Sequence, residues 1–281
     1  MKLAICVPTA GAPKWQFAPN LVQHACAAAR KLGWDDIQLF MRPGLLPMTR
    51  EICLIDAIQW GADRILWVDD DMTIEPNPQF GNLAPLACLM DVMDEHEECA
   101  IVGAIYIKQT PRIPTVTTWH PTYMTKHHRA GAVIMRDIPP RPFECATVGA
   151  GFSLLRMEAA REMLEKQGTP MWHTPLLEFS DGRPAQYMNE DVDLCLRMHD
   201  LGWEVWADPR PITTHLKDAG PLVYDYEKWE GAPTDIRPFT KANSALFRDE
   251  RTGVVALDVY TPAETRAKPG YEFLEMAMER K

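Results

Sequence analysis

Apolar and polar positions follow two periods along the first hundred residues. Short apolar runs, Leu3 to Val7, Ile37 to Met41, Ile65 to Val68 and Ala100 to Ile107, have the length and composition of sheet strands. Segments of helical character lie between them. The Ala-rich stretch from Asn20 to Leu32 has high helix propensity and closes at Gly33. A second helix is expected to open at Thr49 as its cap, to carry Ile52, Ile55 and Ile58 on one face, and to end at Gly61. Pro85 to Met93 forms a third, running into the solvated acidic patch Asp94, Glu95, Glu97 and Glu98. Strands alternating with helices predict an α/β, Rossmann-like fold: a mostly parallel central sheet flanked by helices.

The later chain is less regular. Lys108 to Pro142 is loop-rich, and its His127, His128 and Arg129 read as a surface cluster. From Cys145 to Arg156 two apolar stretches are interrupted by Gly149-Ala150-Gly151, which marks a bulge or a close backbone approach, here of a substrate. Glu158 to Gln167 is helical and closes at Gly168. Asn189 caps a further helix, with Val192, Cys195, Leu196 and Met198 supplying its apolar face, before Gly202 and a strand through Trp206. Pro211 to His215 is a short extended run. Asp218 to Thr240, with Tyr224, Tyr226 and Trp229 among glycines and prolines, reads as a lid or acceptor loop.

Composition narrows the function classes. With 281 residues and 46% hydrophobic content the chain can bury a sizeable core. A net charge of −10 argues against a broad grip on nucleic-acid phosphates, so an anionic substrate needs a metal ion as mediator. The seven cysteines are scattered without a Cys-x-x-Cys pair, as expected of small core residues in a reducing cytosol. No apolar run has the length of a signal peptide or a membrane span, and a cytoplasmic protein is expected.

The candidate chemistry begins where the apolar run Ile65 to Val68 stops at three carboxylates, Asp69, Asp70 and Asp71. Ligands of open α/β sheets bind beyond the carboxyl ends of the strands, and adjacent carboxylates repel unless a cation joins them. A hard divalent cation carrying phosphate oxygens suits such a cluster. Pro8-Thr9 at the end of the first strand lets backbone approach a phosphate or nucleoside. Arg50, a cation placed in the first turn of its helix against the dipole, suits a nucleotide. Glu190 and Asp191 stand at a helix N-terminus, which the dipole alone would favour. Asp69-x-Asp71-x-Thr73 also fits the aspartyl nucleophile of haloacid-dehalogenase-like phosphatases. A nucleotidyltransferase or a non-catalytic sugar-nucleotide-binding module would share several of these features.

Taken together, Pro8-Thr9, Thr49-Arg50, Asp69-Asp70-Asp71, Gly149-Ala150-Gly151-Phe152, Glu190-Asp191-x-x-Leu194, Gly202-Trp203 and His215 resemble, in order and spacing, the family 2-like GT-A glycosyltransferases of bacteria and phages. The resemblance implies a transferase domain over 1–216, with a donor half over 1–107, an acceptor half over 108–216, and a lid and tail over 217–281. It makes Asp69 and Asp71 the outer positions of an Asp-x-Asp motif that contacts ribose and holds Mn²⁺ or Mg²⁺, with His215 completing the metal site. It assigns Gly149, Ala150, Gly151 and Trp172 to the sugar and acceptor; Pro8, Thr9, Arg50 and Asp70 are expected on the donor side, with Lys217, just past His215, as a further positive charge near the diphosphate. Asp191 becomes the general base of an inverting reaction, with Glu190 orienting it. The expected donor is a nucleoside-diphosphate-sugar, a UDP-sugar by preference. Acceptors in the family include lipids, proteins, polysaccharides and modified DNA bases. One departure stands out: Met41-Arg42-Pro43 occupies the place where many relatives carry an acidic residue against the nucleobase.

Overall fold

The computed structural model describes residues 1–9, 11, 13–107, 114–119, 132–135, 138–177, 186–217, 220–225, 245–248, 255–258 and 272–274. The histidines at 127 and 128, Arg129, and the expected lid residues Tyr226 and Trp229 lie outside these.

Strand β1 (Lys2–Thr9) leads into one helical segment made of α1 (Phe17–Leu21), a π-helical turn (Val22–Cys26) and α2 (Ala27–Lys31). It starts before Asn20 because Phe17 and Leu21 both find the core, and Pro19 is tolerated in a first turn. Strand β2 (Asp36–Pro43) runs past Met41, with Arg42 and Pro43 in register opposite Pro8 and Thr9. As an edge strand it accommodates a proline, and Gly44, at φ 144°, then turns the chain away.

Helix α3 (Leu46–Trp60) corrects two expectations. It opens at Leu46, with Pro47 in its first turn, so Thr49 lies inside it and donates its hydroxyl to the Leu45 carbonyl at 2.9 Å. Arg50 is therefore beyond the first turn. The buried stripe is Thr49, Arg50, Cys53, Leu54 and Ala57, whereas Ile52 and Ile55 are 39% and 42% exposed. Packing on β1 and β2 turns this stripe to the sheet and leaves Ile52 and Ile55 outward, with Ile58 half-buried against the core. Gly61, at φ 79°, ends the helix as expected.

Strand β3 (Arg64–Val68) precedes the carboxylates, and β4 (Met72–Glu75) follows them. Helix α4 (Pro85–Glu95) leads to β5 (Cys99–Ala104), which ends before Ile107 because that residue forms an isolated bridge with Pro114 instead. Next come β6 (Val116–Trp119), β7 (Ala132–Met135), β8 (Phe143–Glu144), β9 (Thr147–Val148), β10 (Phe152–Arg156) and α5 (Met157–Gln167). A short pair, β11 (Leu176–Leu177) and β12 (Gln186–Tyr187), precedes α6 (Glu190–Asp200), β13 (Glu204–Asp208), β14 (Ile212–Lys217) and β15 (Gly220–Tyr224). The C-terminal strands β16 (Ala245–Arg248), β17 (Val255–Asp258) and β18 (Glu272–Leu274) join β7, β6 and β9 in a second sheet.

The central sheet runs β2-β1-β3-β10-β5-β13-β8. All but β10 and β8 are mutually parallel. Helices flank it, and the result is the Rossmann-like α/β architecture, a mostly parallel sheet between helices, that the sequence predicts. Alternation along the strands separates two cores: Leu3, Ile5, Val7, Leu66 and Val68 face α1, α2 and α4, while Ala4, Cys6, Ile65 and Trp67 face α3, α5 and α6. Insertion of the antiparallel β10 between β3 and β5 positions the site. It sets Phe152 opposite Val68, so the glycine segment just before β10 reaches the end of β3, where Asp69 N donates to Gly151 O at 2.8 Å.

Candidate active site

The three carboxylates after β3 go to three different partners. Met72 N donates to Asp69 O at 3.1 Å, and this tight turn splays the side chains apart. Asp69 accepts from Arg50, Asp70 meets the Thr9 hydroxyl, and Asp71 meets His215 and Lys217. Thr9 and Pro8 close the buried end of β1, so the expected donor-side strand ends do lie side by side. Burial raises the Asp70 carboxyl pKa, an effect that the Thr9 hydroxyl offsets only in part.

Asp71 and His215 are joined by sheet pairing. Strand β14 runs antiparallel to β4 with His215 opposite Met72, and Leu216 N donates to the Asp71 carbonyl at 2.6 Å. His215 Nε2 then lies 3.3 Å from Asp71 Oδ2, and Lys217 Nζ lies 2.5 Å from the same oxygen. Burial works against charge on Asp71, but the histidine and the ammonium outweigh it and hold the carboxyl below its ordinary range. His215 Nδ1 stands 2.9 Å from the Ile107 carbonyl, which can only accept, so Nδ1 carries the proton. A bare Nε2 facing a carboxylate oxygen is a pairing that calls for a proton or a cation, and a backbone carbonyl behind the other nitrogen is the usual support of a metal-binding imidazole.

Asp69 does not join that pair. Arg50 Nη2 holds both of its carboxylate oxygens, at 2.8 and 3.1 Å. Among the described residues no three His, Cys, Asp or Glu side chains stand together as a set able to hold a metal. The residues that fit a divalent cation are Asp71 and His215, a donor set that suits a metal taking its other oxygens from a diphosphate and water.

Arg50 is the largest departure from the sequence reading. It is 1% exposed, and its guanidinium reaches Asp69 on one side and Glu190 Oε1, at 2.9 Å, on the other, across 140 residues of sequence. The Trp172 ring covers its face at 4.8 Å. Burial opposes its charge, but Asp69, Glu190 and Asp191 outweigh that and raise its pKa. A guanidinium so enclosed positions carboxylates and is not a free hand for a nucleotide.

Trp172 is likewise interior, 2% exposed and edge-on to Trp67 at 5.1 Å, so it underlies the site and does not offer a stacking face to an acceptor. Glu190 and Asp191 open α6 as expected, after Asn189, whose side chain makes no capping hydrogen bond. Seven of the eleven residues of α6 are buried, Leu194 among them, whereas Val192, expected on the apolar face, is half-buried. Burial, then the neighbouring Asp191, raises the Glu190 carboxyl pKa, and Arg50 offsets this in part. Asp191 is mostly buried, and its Oδ1 accepts from Val192 N at 2.8 Å.

The glycine segment is a close approach, made by protein. A Cβ on Gly149 would stand 2.6 Å from Tyr106 Oη, and one on Gly151 would stand 2.9 Å from Tyr106 Cζ. Ala150 between them is buried. Gly151 N donates to the Tyr106 hydroxyl at 3.3 Å, and the Tyr106 ring meets His215 edge-on at 5.3 Å. Tyr106 thus links the glycine segment to the Asp71–His215 pair. Nothing local in the sequence marks Tyr106 beyond an aromatic just past a strand end, since its contacts with Gly149, Gly151 and His215 are distant in sequence.

No protein-family model matches the chain. No curated protein matches it either. Similar solved structures include A197 from STIV, at 17% identity over 78% of this chain and 87% of that one, with a TM-score of 0.48. Another is GalNAc-T7 with UDP, GalNAc and Mn²⁺, at 9% identity over 77% of this chain and 44% of that one, with a TM-score of 0.44. A third is a glycosyltransferase involved in glycosylation of the major capsid of PBCV-1, at 11% identity over 61% and 69%, with a TM-score of 0.31.

Proposed function

We propose that the protein is a glycosyltransferase that moves a sugar from a nucleoside-diphosphate-sugar, UDP-sugars by preference, to an acceptor hydroxyl with inversion. The observation that carries this reading is the convergence of Asp71, His215 and Lys217 beside an arginine-linked Asp69–Glu190 pair, at the carboxyl end of a central parallel strand. Asp71 and His215 would hold Mn²⁺ or Mg²⁺, which when bound supplies Lewis-acid stabilisation of a diphosphate. Lys217, held on Asp71, adds a positive charge toward the same phosphates. Asp70 with Thr9, at the end of β1, faces the nucleoside side, and the Tyr106-backed Gly149–Gly151 segment forms the floor under the sugar.

Of the two acidic residues opening α6, Arg50 takes up Glu190. Asp191 is assigned the acceptor proton, and Glu190 a positioning role. The absence of a helix long and apolar enough to cross a membrane among the described residues bears on neither donor nor acceptor. The test is a screen of nucleoside-diphosphate-sugars with Mn²⁺ for slow hydrolysis, in which water stands in for the acceptor. Release of a nucleoside diphosphate is expected. Pyrophosphate-dependent formation of a nucleoside triphosphate, or release of inorganic phosphate from a phosphate monoester, would instead identify a nucleotidyltransferase or a phosphatase.

A further inference from the structure

A buried carboxylate outside the assigned machinery carries a second inference. Asp193 is fully buried on α6, one helical turn on from Glu190 and therefore on the same face. Arg197 Nη1 lies 3.7 Å from it and His173 Nδ1 3.1 Å. The His173 side chain is 33% exposed, so one edge of its ring lies against a buried carboxylate while part of the ring reaches solvent.

The backbone before His173 is clamped from both sides. Glu51 accepts from Met171 N at 2.9 Å and from Trp172 N at 3.1 Å. Arg197 donates to the carbonyls of Met171 at 3.0 Å and Pro170 at 3.3 Å. Trp172 is driven inward under Arg50, and the next side chain, His173, comes to the surface above the first turn of α6.

We propose that His173, oriented by Asp193, is the acceptor-side contact of the site, in the role that the resemblance implied for Trp172. His173 Nδ1 lies 3.1 Å from Asp193 Oδ2 without the alignment of a hydrogen bond; a carboxylate at that distance favours the tautomer with the proton on Nδ1, which leaves Nε2 as a lone pair turned away from Asp193. A lone pair there accepts a hydrogen bond from the incoming hydroxyl and holds its oxygen beside the Glu190–Asp191 turn. The ligand class is a hydroxyl compound, with water in its place when no acceptor is present. This rests on the glycosyl-transfer reading above.

The experiment has two arms. Long-range proton–nitrogen correlation of the ¹⁵N-histidine-labelled protein reads the tautomer directly: a proton on Nδ1 and a bare Nε2 are expected, and the reverse tautomer overturns the proposal. In the second arm His173→Phe and His173→Gln are compared with wild type for UDP binding with Mn²⁺, for melting temperature, and for hydrolysis of the sugar nucleotide that wild type turns over best. His173→Phe should lose about tenfold in hydrolysis, the loss of one hydrogen bond, with UDP affinity and melting unchanged. His173→Gln, whose amide oxygen can stand where Nε2 stands, should recover part of the rate. Unchanged hydrolysis in His173→Phe overturns the proposal alone, as does a loss matched by equal losses in UDP affinity or melting, which marks a structural histidine. A wild type that turns over no sugar nucleotide overturns the glycosyl-transfer reading and the proposal with it.

Discussion

Nε2 of His215 lies 3.3 Å from Oδ2 of Asp71, the oxygen that Lys217 also contacts, at 2.5 Å. The ammonium thus stands where a divalent cation shared by Asp71 and His215 would compete with it. Asp71→Ala should abolish Mn²⁺-dependent UDP binding, while Lys217→Met should tighten Mn²⁺ binding to the protein alone and weaken UDP binding in EDTA. Calorimetry with and without EDTA, together with paramagnetic titration of free Mn²⁺, measures both. Equal Mn²⁺ affinity in wild type and Lys217→Met would rule out the competition.

The Asp71 carboxyl is held below its ordinary value of 3.8, burial working against His215 and Lys217 and losing. Between the folded value and 3.8 the unfolded chain binds more protons than the native one, so stability rises with pH across that window. The contribution is fully present above the unfolded value and is lost as pH falls through the folded one. In denaturant titrations the stability advantage of wild type over Asp71→Asn should therefore grow as pH rises toward 3.8 and level off above it. A constant difference would show that Asp71 is not held in this way.

Arg50 joins Asp69 to Glu190 inside the protein, with Trp172 over its face. Arg50→Met leaves two carboxylates without their counter-charge and should cost about 3–5 kcal/mol. Arg50→Lys keeps the charge but not the fork that spans both partners, and should cost less while still lowering turnover. Urea unfolding midpoints set beside sugar-nucleotide hydrolysis rates separate the two effects.

Gly151 has no room for a side chain because Tyr106 atoms lie 2.9 to 3.1 Å from where its Cβ would be. Gly151→Ala should destabilise by about 1–3 kcal/mol through overpacking. In a Tyr106→Leu background the same change should cost distinctly less. A double-mutant cycle showing no coupling would refute the contact.

Asp191 and Glu190 are adjacent, yet only Glu190 is engaged by Arg50. Asp191→Asn should lower kcat for donor turnover by about a hundredfold with UDP affinity little changed, the mark of an interaction made in the transition state. Glu190→Gln should act more broadly, on stability as well as rate. A larger loss of kcat in Glu190→Gln would exchange the two roles.

The sequence by itself determined the strand–helix alternation, the helix ends at Gly61 and Gly168, and the arrest of β3 at three carboxylates. These are local matters: apolar runs, glycine geometry and charge reveal themselves within a few residues. It also singled out Asp71 and His215 separately, but their meeting needed the register of β4 against β14, a pairing between distant segments. Tertiary structure alone decided which face of α3 is buried, because the exposed Ile52 and Ile55 are as apolar as the stripe that packs. It alone turned Arg50 from a cation suited to a nucleotide into an internal bridge, since a guanidinium is buried only where the fold delivers counter-charges from elsewhere, here Asp69 and Glu190. Trp172 and His173 show the same division within two residues: burial of one and exposure of the other follow from clamps at Glu51, Arg197 and Asp193, contacts that no local pattern encodes.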